Sequence, residues 1–249
     1  MTDPIESLNL LPVIDKQSGL PPNETIYQTG CAILVDKPLK WTSFDVVKYI
    51  RSRIPSKKVG HAGTLDPLAT GLLILCAGRA TKKISKFQDL HKTYEAKIRF
   101  GASTPSFDAE TEPDQTGKWK HINQEEIERV VDEKFSGTIL QVPPLYSAKR
   151  VGGKRLYNYA RKGEEVKVDP REVTIHQVKI LDVSLPYITA EIKCGKGTYI
   201  RSFAHDLGKA LGSLAHLTGL RRTETGPFHV NSAITTEEFH QLIKGNKDG

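Results

Sequence analysis

The sequence predicts a mixed α+β fold in which helices flank a largely antiparallel sheet. Segments with strand patterns outnumber segments with helical patterns, and the two kinds do not alternate regularly along the chain. The chain has 249 residues, of which 38% are hydrophobic, so it is long and apolar enough to bury a substantial core. We therefore expect a soluble globular protein.

Two segments in the first half of the chain are typical of buried strands. Residues 1–30 are rich in Pro, Asn, Gln and Ser and predict a loosely held arm. After this arm, CAILVDKP predicts a strand from Cys31 that stops at Pro38, because proline has no N–H to donate to a neighbouring strand. The segment GLLILCAG predicts a second buried strand, bounded by Gly71 and Gly78.

Helical signals occur in three places. Thr42 and Asp45 have the spacing of a capping box and begin a helix with a basic outer face. Asn123 and Glu126 cap a second helix, which Gly137 ends. The segment TYIRSFAHDLGKALG predicts a third helix with one apolar stripe, formed by Ile200, Phe203, Ala204, Leu207 and Leu211.

Two further segments, TYEAKIRFG and ITAEIKCGKG, alternate between apolar and polar residues as half-buried strands do. In the first of them Tyr94 falls on the same face as Ala96 and Ile98, whereas Lys97 and Arg99 fall on the other. We therefore expect Tyr94 to point to the apolar side of the strand.

Charge and cysteine usage limit the classes of function. Lys and Arg number 36 against 29 Asp and Glu, a net charge of +7 that favours a polyanionic partner. Cys31, Cys76 and Cys194 form no CxxC pair, so we expect neither disulfides nor a zinc site and interpret Cys76 and Cys194 as small buried hydrophobes. The sequence shows no secretory leader and no run of about 18 apolar residues, so we expect neither secretion nor a membrane-spanning segment. Together with the cysteine usage, this predicts a protein of the reducing cytoplasm.

Three common chemistries find no support in the motifs. The histidines form no HxxxH or HxE pair for a metal, no GxSxG elbow is present for a nucleophilic serine, and GHAGTLDPLATG lacks the Lys and Ser/Thr of a phosphate-binding loop. What is left is Asp66 in a polar turn, able to act as nucleophile or base if a cation such as Arg201 keeps it ionised. The alternative is an Asx-type turn preceding Pro67, and His61 in the same turn is either functional or simply solvated.

The segment from Pro143 to Gly163 interleaves Lys and Arg with Tyr146, Tyr157 and Tyr159. Aromatic rings offer a stacking face to bases and cations pair with phosphates, so an RNA-facing segment is one interpretation. A solvated amphipathic helix with its tyrosines in the core is equally compatible with this pattern.

The segment GHAGTLDPLATGLL resembles the signature of the TruB family of pseudouridine synthases, which isomerise a uridine in the TΨC loop of tRNA. Further blocks resemble the family's other motifs in the family's order, over about residues 31–230. These blocks are DKPLKWTSFDVV, KTYEAKIRFG, PPLYSAKRVGGKRLYNYARKG, CGKGTYIRSFAHDLG and GLRRTETGPF.

The resemblance implies the pseudouridine-synthase fold with a central RNA-binding cleft, and it implies roles for individual residues. Asp66 matches the family's essential aspartate, which is presented at the floor of the cleft. Tyr94 matches a tyrosine that stacks on the target base. Arg201 matches an arginine that pairs with the catalytic aspartate and keeps it charged.

Four more positions match residues around the substrate. Tyr199 and Leu220 match residues that line the uracil pocket. His61 matches a histidine that enters the RNA loop where the base has been flipped out, and Lys37 matches a lysine that supports the pocket.

The chain also departs from the family's pattern. Pro105 stands where an Asp is often found, with Asp108 retained, so we expect altered contacts between this loop and RNA. The expected organisation is an arm (residues 1–30), a catalytic domain (31–230) and a short tail (231–249) without the full PUA domain of many relatives, which predicts weaker binding of tRNA.

The function implied is isomerisation of uridine 55 of tRNA by base flipping and exchange of a C–N for a C–C glycosidic bond, by a monomer without metal or cofactor. An RNA-binding or RNA-folding module without catalysis is the alternative from another class. The same isomerisation on another RNA is a third possibility.

Overall fold

The chain divides into two units, the second inserted in sequence between two parts of the first. In the computed structural model, which describes residues 11–21, 23–147, 149–164 and 166–245, unit 1 comprises residues 1–92 and 221–249. Unit 2 comprises residues 93–220. The sequence expectation of one catalytic domain over 31–230 thus encloses all of unit 2 and most of unit 1.

Helices and strands follow one another irregularly, as an α+β fold requires. The helices are α1 (Ile26–Thr29), α2 (Ser43–Arg51), α3 (Ile84–Asp89), α4 (Gln124–Lys134), α5 (Leu156–Lys162), α6 (Ile200–Ala210) and α7 (Thr236–Gly245). The strands are β1 (Val13–Ile14), β2 (Cys31–Lys37), β3 (Val59–His61), β4 (Ala69–Ala77), β5 (Lys92–Phe100), β6 (Ala102–Ser103), β7 (Gln115–Thr116), β8 (Gly137–Gln141), β9 (Arg150–Val151), β10 (Lys154–Arg155), β11 (Arg171–Ser184), β12 (Tyr187–Cys194), β13 (Ala215–Thr225), β14 (Phe228–His229) and β15 (Ile234–Thr235).

The sheet of unit 1 is built around β2 and β4. These strands pair antiparallel along the whole of β2, β3 pairs antiparallel with β4, and β1 and β15 pair parallel with β2. Nearly every residue of β2 and β4 is buried, because both strands are continuous apolar runs. Pro38 follows the end of β2 as predicted, whereas β4 begins at Ala69, two residues before the predicted boundary at Gly71.

The capping box at the start of α2 is confirmed. The Thr42 hydroxyl accepts a hydrogen bond from the Asp45 amide at 3.1 Å, and the Asp45 carboxylate accepts one from the Thr42 amide at 3.0 Å. Val46, Val47 and Ile50 are buried on the inner face of the helix. Two local hydrogen bonds therefore fix the start of α2, and its apolar stripe begins in the same turn.

Both ends of the chain contribute to unit 1. Ile14 and Tyr27 are buried, so the arm of residues 1–30 packs along part of its length, although residues 1–10 and 22 lie outside the described residues. In the predicted tail, Phe239 of α7 is fully buried, and residues 246–249 lie outside the described part.

In unit 2 the strand order is β13, β5, β12, β11, β8. Strand β11 pairs antiparallel with β12 on one side and with β8 on the other. Alternate residues of β12 are buried, as its sequence predicts. The inward residues of β5 and β12 share one core with the apolar faces of α4 and α6, so the helices cover the sheet through the stripes seen in the sequence.

Cys31, Cys76 and Cys194 are buried and are not joined in disulfides. Burial raises the pKa of Cys31 and of Cys76 to about 12, so both stay protonated at neutral pH. The interpretation of Cys76 and Cys194 as small buried hydrophobes is confirmed.

Within the described residues, no helix combines the length and the hydrophobicity that crossing a bilayer requires. The same part of the chain contains no cluster of three or more His, Cys, Asp or Glu side chains suited to a metal ion.

Candidate active site

Asp66 lies in the loop that connects β3 to β4 in unit 1. The Ala62 amide donates to the Ile74 carbonyl at 2.9 Å, and the Ala69 amide donates to the Asp66 carbonyl at 3.0 Å. The second bond closes a tight turn over Pro67 before β4 begins. Asp66 itself is half-buried, in a turn whose two ends are hydrogen-bonded.

The peptide groups on either side of Asp66 are held by side chains from elsewhere in unit 1. The buried Ser43 hydroxyl accepts from the Leu65 amide at 2.9 Å and donates to the Leu65 carbonyl at 3.2 Å. On the other side, the Lys40 amide donates to the Pro67 carbonyl at 2.8 Å. These bonds act on the backbone and orient the residue between them.

Lys37, at the end of β2, lies beneath the same turn and is fully buried. Its ammonium donates to the carbonyls of Trp41 at 2.5 Å, Pro38 at 3.0 Å and Pro67 at 3.4 Å. Burial lowers the pKa of Lys37 to about 8, an effect that the Asp66 carboxylate opposes. The lysine thus supports the turn, and it interacts electrostatically with the carboxylate that the turn presents.

His61, the last residue of β3, is half-buried at the start of the loop. Burial lowers its pKa below the usual value, and the positive charge of Arg222 lowers it further, against a hydrogen bond to the Gly63 backbone that raises it. The imidazole is therefore mainly neutral at pH 7.

Unit 2 holds the four other residues expected at the site. Tyr94 on β5 and Leu220 on β13 are half-buried and pack against the core that α4 and α6 cover. Tyr94 lies on the apolar side of β5, with Ala96 and Ile98 buried and Lys97 exposed, so the prediction from alternation is confirmed.

Tyr199 immediately precedes α6. The Gln141 side chain holds its backbone in both directions, accepting from the Tyr199 amide at 2.8 Å and donating to the Tyr199 carbonyl at 3.0 Å. The guanidinium of Arg171 lies 4.9 Å from the centre of the Tyr199 ring. The two hydrogen bonds from Gln141 fix the start of α6 and therefore the position of Arg201.

Arg201 is buried, with 3% of its side chain exposed. It donates to the carbonyls of Ser106 at 3.0 Å and Tyr146 at 2.8 Å, and its Nε lies 3.5 Å from the Asp108 carboxylate. Asp108 is buried as well and accepts from the Ser106 hydroxyl at 2.7 Å. Asp108, which sequence analysis assigned only to an RNA-contacting loop, is an internal partner of Arg201.

The expected site residues thus form two groups, one in each unit. Unit 1 brings Lys37 and Asp66 together over one turn that His61 begins, whereas Tyr94, Tyr199, Arg201 and Leu220 belong to unit 2. The pairing of Arg201 with Asp66 stays a prediction. The sequence did not reveal the contacts of Ser43, Asp108, Gln141 and Arg222, because each has a partner distant in sequence.

A groove of about 1060 Å³ in unit 1 is strongly basic. It lies between the end of α2, the segment before β3 and the turn after β4. Its charged lining residues are all cationic and exposed: Arg51, Lys57, Lys58, Arg79 and Lys82. Such a surface attracts polyanions.

The segment from Pro143 to Gly163 contains the short helix α5, and its tyrosines match neither interpretation in full. Tyr157 and Tyr159 are half-buried, and they carry Arg161 and Lys154 at 5.3 and 5.9 Å from their ring centres. The tyrosines are neither core residues nor open stacking platforms.

Comparison with known proteins identifies the family. Residues 51–200 match the profile described as "TruB family pseudouridylate synthase (N terminal domain)", and residues 201–248 match the one described as "tRNA pseudouridylate synthase B C-terminal domain". The chain belongs to the TruB family of pseudouridylate synthases. The resemblance of its motifs and the predicted fold class are both confirmed.

Relatives in the family are similar over most of their length. The "tRNA pseudouridine synthase B" of Phocaeicola vulgatus is 48% identical over 223 residues, covering 87% of this chain and 94% of the relative. That of Flavobacterium johnsoniae is 48% identical, covering 88% and 98%. That of Clostridium tetani is 43% identical, covering 84% and 72%.

Solved structures with this fold are larger. The structure described as "Crystal Structure of a Cbf5-Nop10-Gar1 Complex" matches with a TM-score of 0.68 and 30% identity over 90% of this chain. "Structure of H/ACA RNP bound to a substrate RNA containing 2'-deoxyuridine" matches with a TM-score of 0.64 and 27% identity over 91%. This chain spans 56% and 57% of those two chains, respectively.

The helix that carries Arg201 generates a prediction about pH. Burial raises the pKa of Asp206 to about 6, against the weaker effect of Lys209, so Asp206 stabilises the fold only while protonated. This contribution is present below 3.8, the ordinary pKa of an aspartate, and is lost as the pH rises through 6. Asp206→Asn is therefore expected to raise the free energy of unfolding at pH 8 and to leave it nearly unchanged at pH 3.5.

Urea unfolding of both proteins across this pH range measures the difference. His205, whose pKa burial lowers to about 4, contributes equally to both proteins and cancels. If the difference in the free energy of unfolding between the two proteins is constant from pH 3.5 to pH 8, the pKa of Asp206 is not raised by folding and the prediction is wrong.

Proposed function

We propose that this member of the TruB family converts uridine 55 in the TΨC loop of tRNA to pseudouridine. The observation that carries the proposal is the Asp66 turn: a half-buried carboxylate between two peptide groups that Ser43 and Lys37 hold in place. Family membership supports the reaction class, and the curated relatives are named for tRNA as the substrate.

The reaction needs no co-substrate. The C–N glycosidic bond breaks, the uracil turns while it is held, and a C–C bond forms from C5 to the same sugar carbon. The C5 proton is released to water and N1, which the sugar has left, takes up a proton from water. Substrate and product are isomers, so no oxidant, reductant or group donor is consumed. The protein therefore has to provide an enclosed pocket and one correctly placed carboxylate.

Asp66 is the proposed catalytic residue. Attack on the sugar, attack on the base and removal of a ribose proton all begin at an ionised carboxylate, so all three routes require Asp66 as the anion. The cation Lys37 beneath the turn stabilises that anion. We propose that Arg201 of unit 2 pairs with Asp66 through the guanidinium that Asp108 and two carbonyls hold in place.

The other residues would hold the flipped base. Tyr94 stacks on the uracil, Tyr199 and Leu220 line its pocket, and His61 enters the RNA loop in place of the base. A neutral imidazole suits the last role, because it stacks among bases without the cost of burying a charge. Flipping costs a few kcal/mol, which stacking partly offsets.

The basic groove of unit 1 would bind the phosphate backbone of the tRNA. Its five cations precede β3 and follow β4, the two strands that also carry the Asp66 loop. Phosphate contacts release counterions and orient the RNA without reading its sequence. A monomer acting on tRNA in the cytoplasm, without a metal or cofactor, completes the proposal.

The groove also favours the second candidate, a module that binds or refolds RNA without catalysis, because cations alone suffice for that function. Asp66 and its anchored turn distinguish the two candidates, since a binding module has no use for a carboxylate where phosphates approach.

Asp66→Asn is expected to abolish pseudouridine formation and leave RNA affinity within about twofold, because only the anion is lost. Tritium release from a tRNA transcript labelled at uridine C5, with the product mapped by position, measures the reaction for both proteins. Release at position 55 that persists in the variant would sink the assignment, and no release from the wild type despite binding would favour the binding module.

Neutralising two groove cations tests the role of the groove. Lys57→Gln combined with Lys82→Gln should weaken tRNA binding and flatten the plot of log affinity against log salt by roughly 0.7 to 0.9 per lost phosphate contact. The matched control removes two cations that are paired with acids in unit 2, Arg129→Gln with Lys179→Gln. Equal salt slopes for the two double variants would refute a specific role.

A further inference from the structure

Arg222 is a buried cation outside the set of site residues considered so far. Only 1% of its surface is exposed, and it is among the largest fully buried side chains. Removing a guanidinium from water costs several kcal/mol unless its donors are satisfied, so its partners indicate what it does.

Those partners lie within and after the loop that carries Asp66, which spans residues 62–68. Arg222 Nε donates to the Leu72 carbonyl at 2.6 Å, in β4 after the loop, and Nη2 donates to the Gly63 carbonyl at 3.4 Å, within the loop. Gly63 stands midway between His61 and Asp66. One planar side chain therefore joins the segment carrying both residues to the strand that follows it.

The backbone fixes where this guanidinium can reach. A Cβ at Gly71 would stand 2.3 Å from the Arg222 carbonyl oxygen and 2.7 Å from its amide nitrogen, so β4 and β13 approach as closely as glycine permits. A Cβ at Gly63 would lie 3.5 Å from Nη1. The Arg222 side chain therefore begins on β13, where the backbone is held against β4, and its guanidinium ends against the loop that carries Asp66.

The charge of Arg222 acts on the same region. It lowers the pKa of His61 and of Lys37, in both cases in addition to the larger effect of burial. Among the described residues, Arg222 is the charged group with a resolved effect on His61. Arg222 thus acts on the loop that carries Asp66 in two ways, through its hydrogen bonds and through its charge.

We propose that Arg222 is a positioning residue of the reaction, which holds the Gly63 carbonyl so that His61 and Asp66 keep one relative geometry. The inference rests on the proposed function of the Asp66 loop. Arg222 acts through the loop and does not itself contact the substrate.

Two substitutions separate its effects. Arg222→Met removes charge and hydrogen bonds and should lower the single-turnover rate about 10- to 100-fold, with tRNA affinity within about twofold. It should also raise the pKa of His61, followed by NMR titration of the imidazole. Arg222→Lys keeps the charge but replaces two nitrogens of a planar fork with one nitrogen on a shorter side chain, so we expect it not to hold the Leu72 and Gly63 carbonyls together. The rate should therefore fall while the His61 titration stays near that of the wild type.

The neighbouring Arg221 provides the control, because Arg221→Met removes an equal charge and an ion pair with Asp36. It should leave the His61 titration unchanged. If Arg222→Met does not fold, the Lys variant still decides: a wild-type rate in Arg222→Lys would overturn the proposal. A failure of the proposed function is distinct, since wild-type protein would then form no pseudouridine.

Discussion

The site depends on hydrogen bonds that hold the peptide groups flanking Asp66. Ser43 brackets Leu65, and the Lys37 ammonium and Lys40 amide hold the Pro67 carbonyl. Each such bond contributes about 1 kcal/mol to stability, but together they restrict a turn that would otherwise sample several conformations. The backbone of its neighbours thus fixes where the Asp66 carboxylate lies.

Two buried cations lie beside this turn, and both have structural and electrostatic effects. Lys37 satisfies three carbonyls and Arg222 two, which offsets the cost of burying each charge. Burial lowers the pKa of Lys37, the Asp66 carboxylate opposes this effect, and the charge of Arg222 adds to it. Unit 2 uses the same device at Arg201, where Asp108 and backbone carbonyls surround a buried guanidinium.

Local patterns predicted the elements well, and long-range contacts explain what they missed. The capping box of Thr42 and the alternation around Tyr94 depend on residues a few positions apart, which the sequence displays. Ser43 acts on a residue 22 positions away and Arg222 on one 159 positions away, so no spacing rule reveals them. Asp108 was visible as a retained acid, but only the fold shows that it is buried against Arg201.

Amide hydrogen exchange at Leu65 in the substrate-free wild-type protein tests the anchored turn most directly. The Leu65 amide is bonded to a buried hydroxyl, and Leu65 is 3% exposed. The account predicts exchange slowed about 100-fold or more relative to an unstructured chain, with the protection lost in Ser43→Ala. Rapid exchange in the wild type would contradict it, because Asp66 would then lie in a mobile loop rather than in a preformed one.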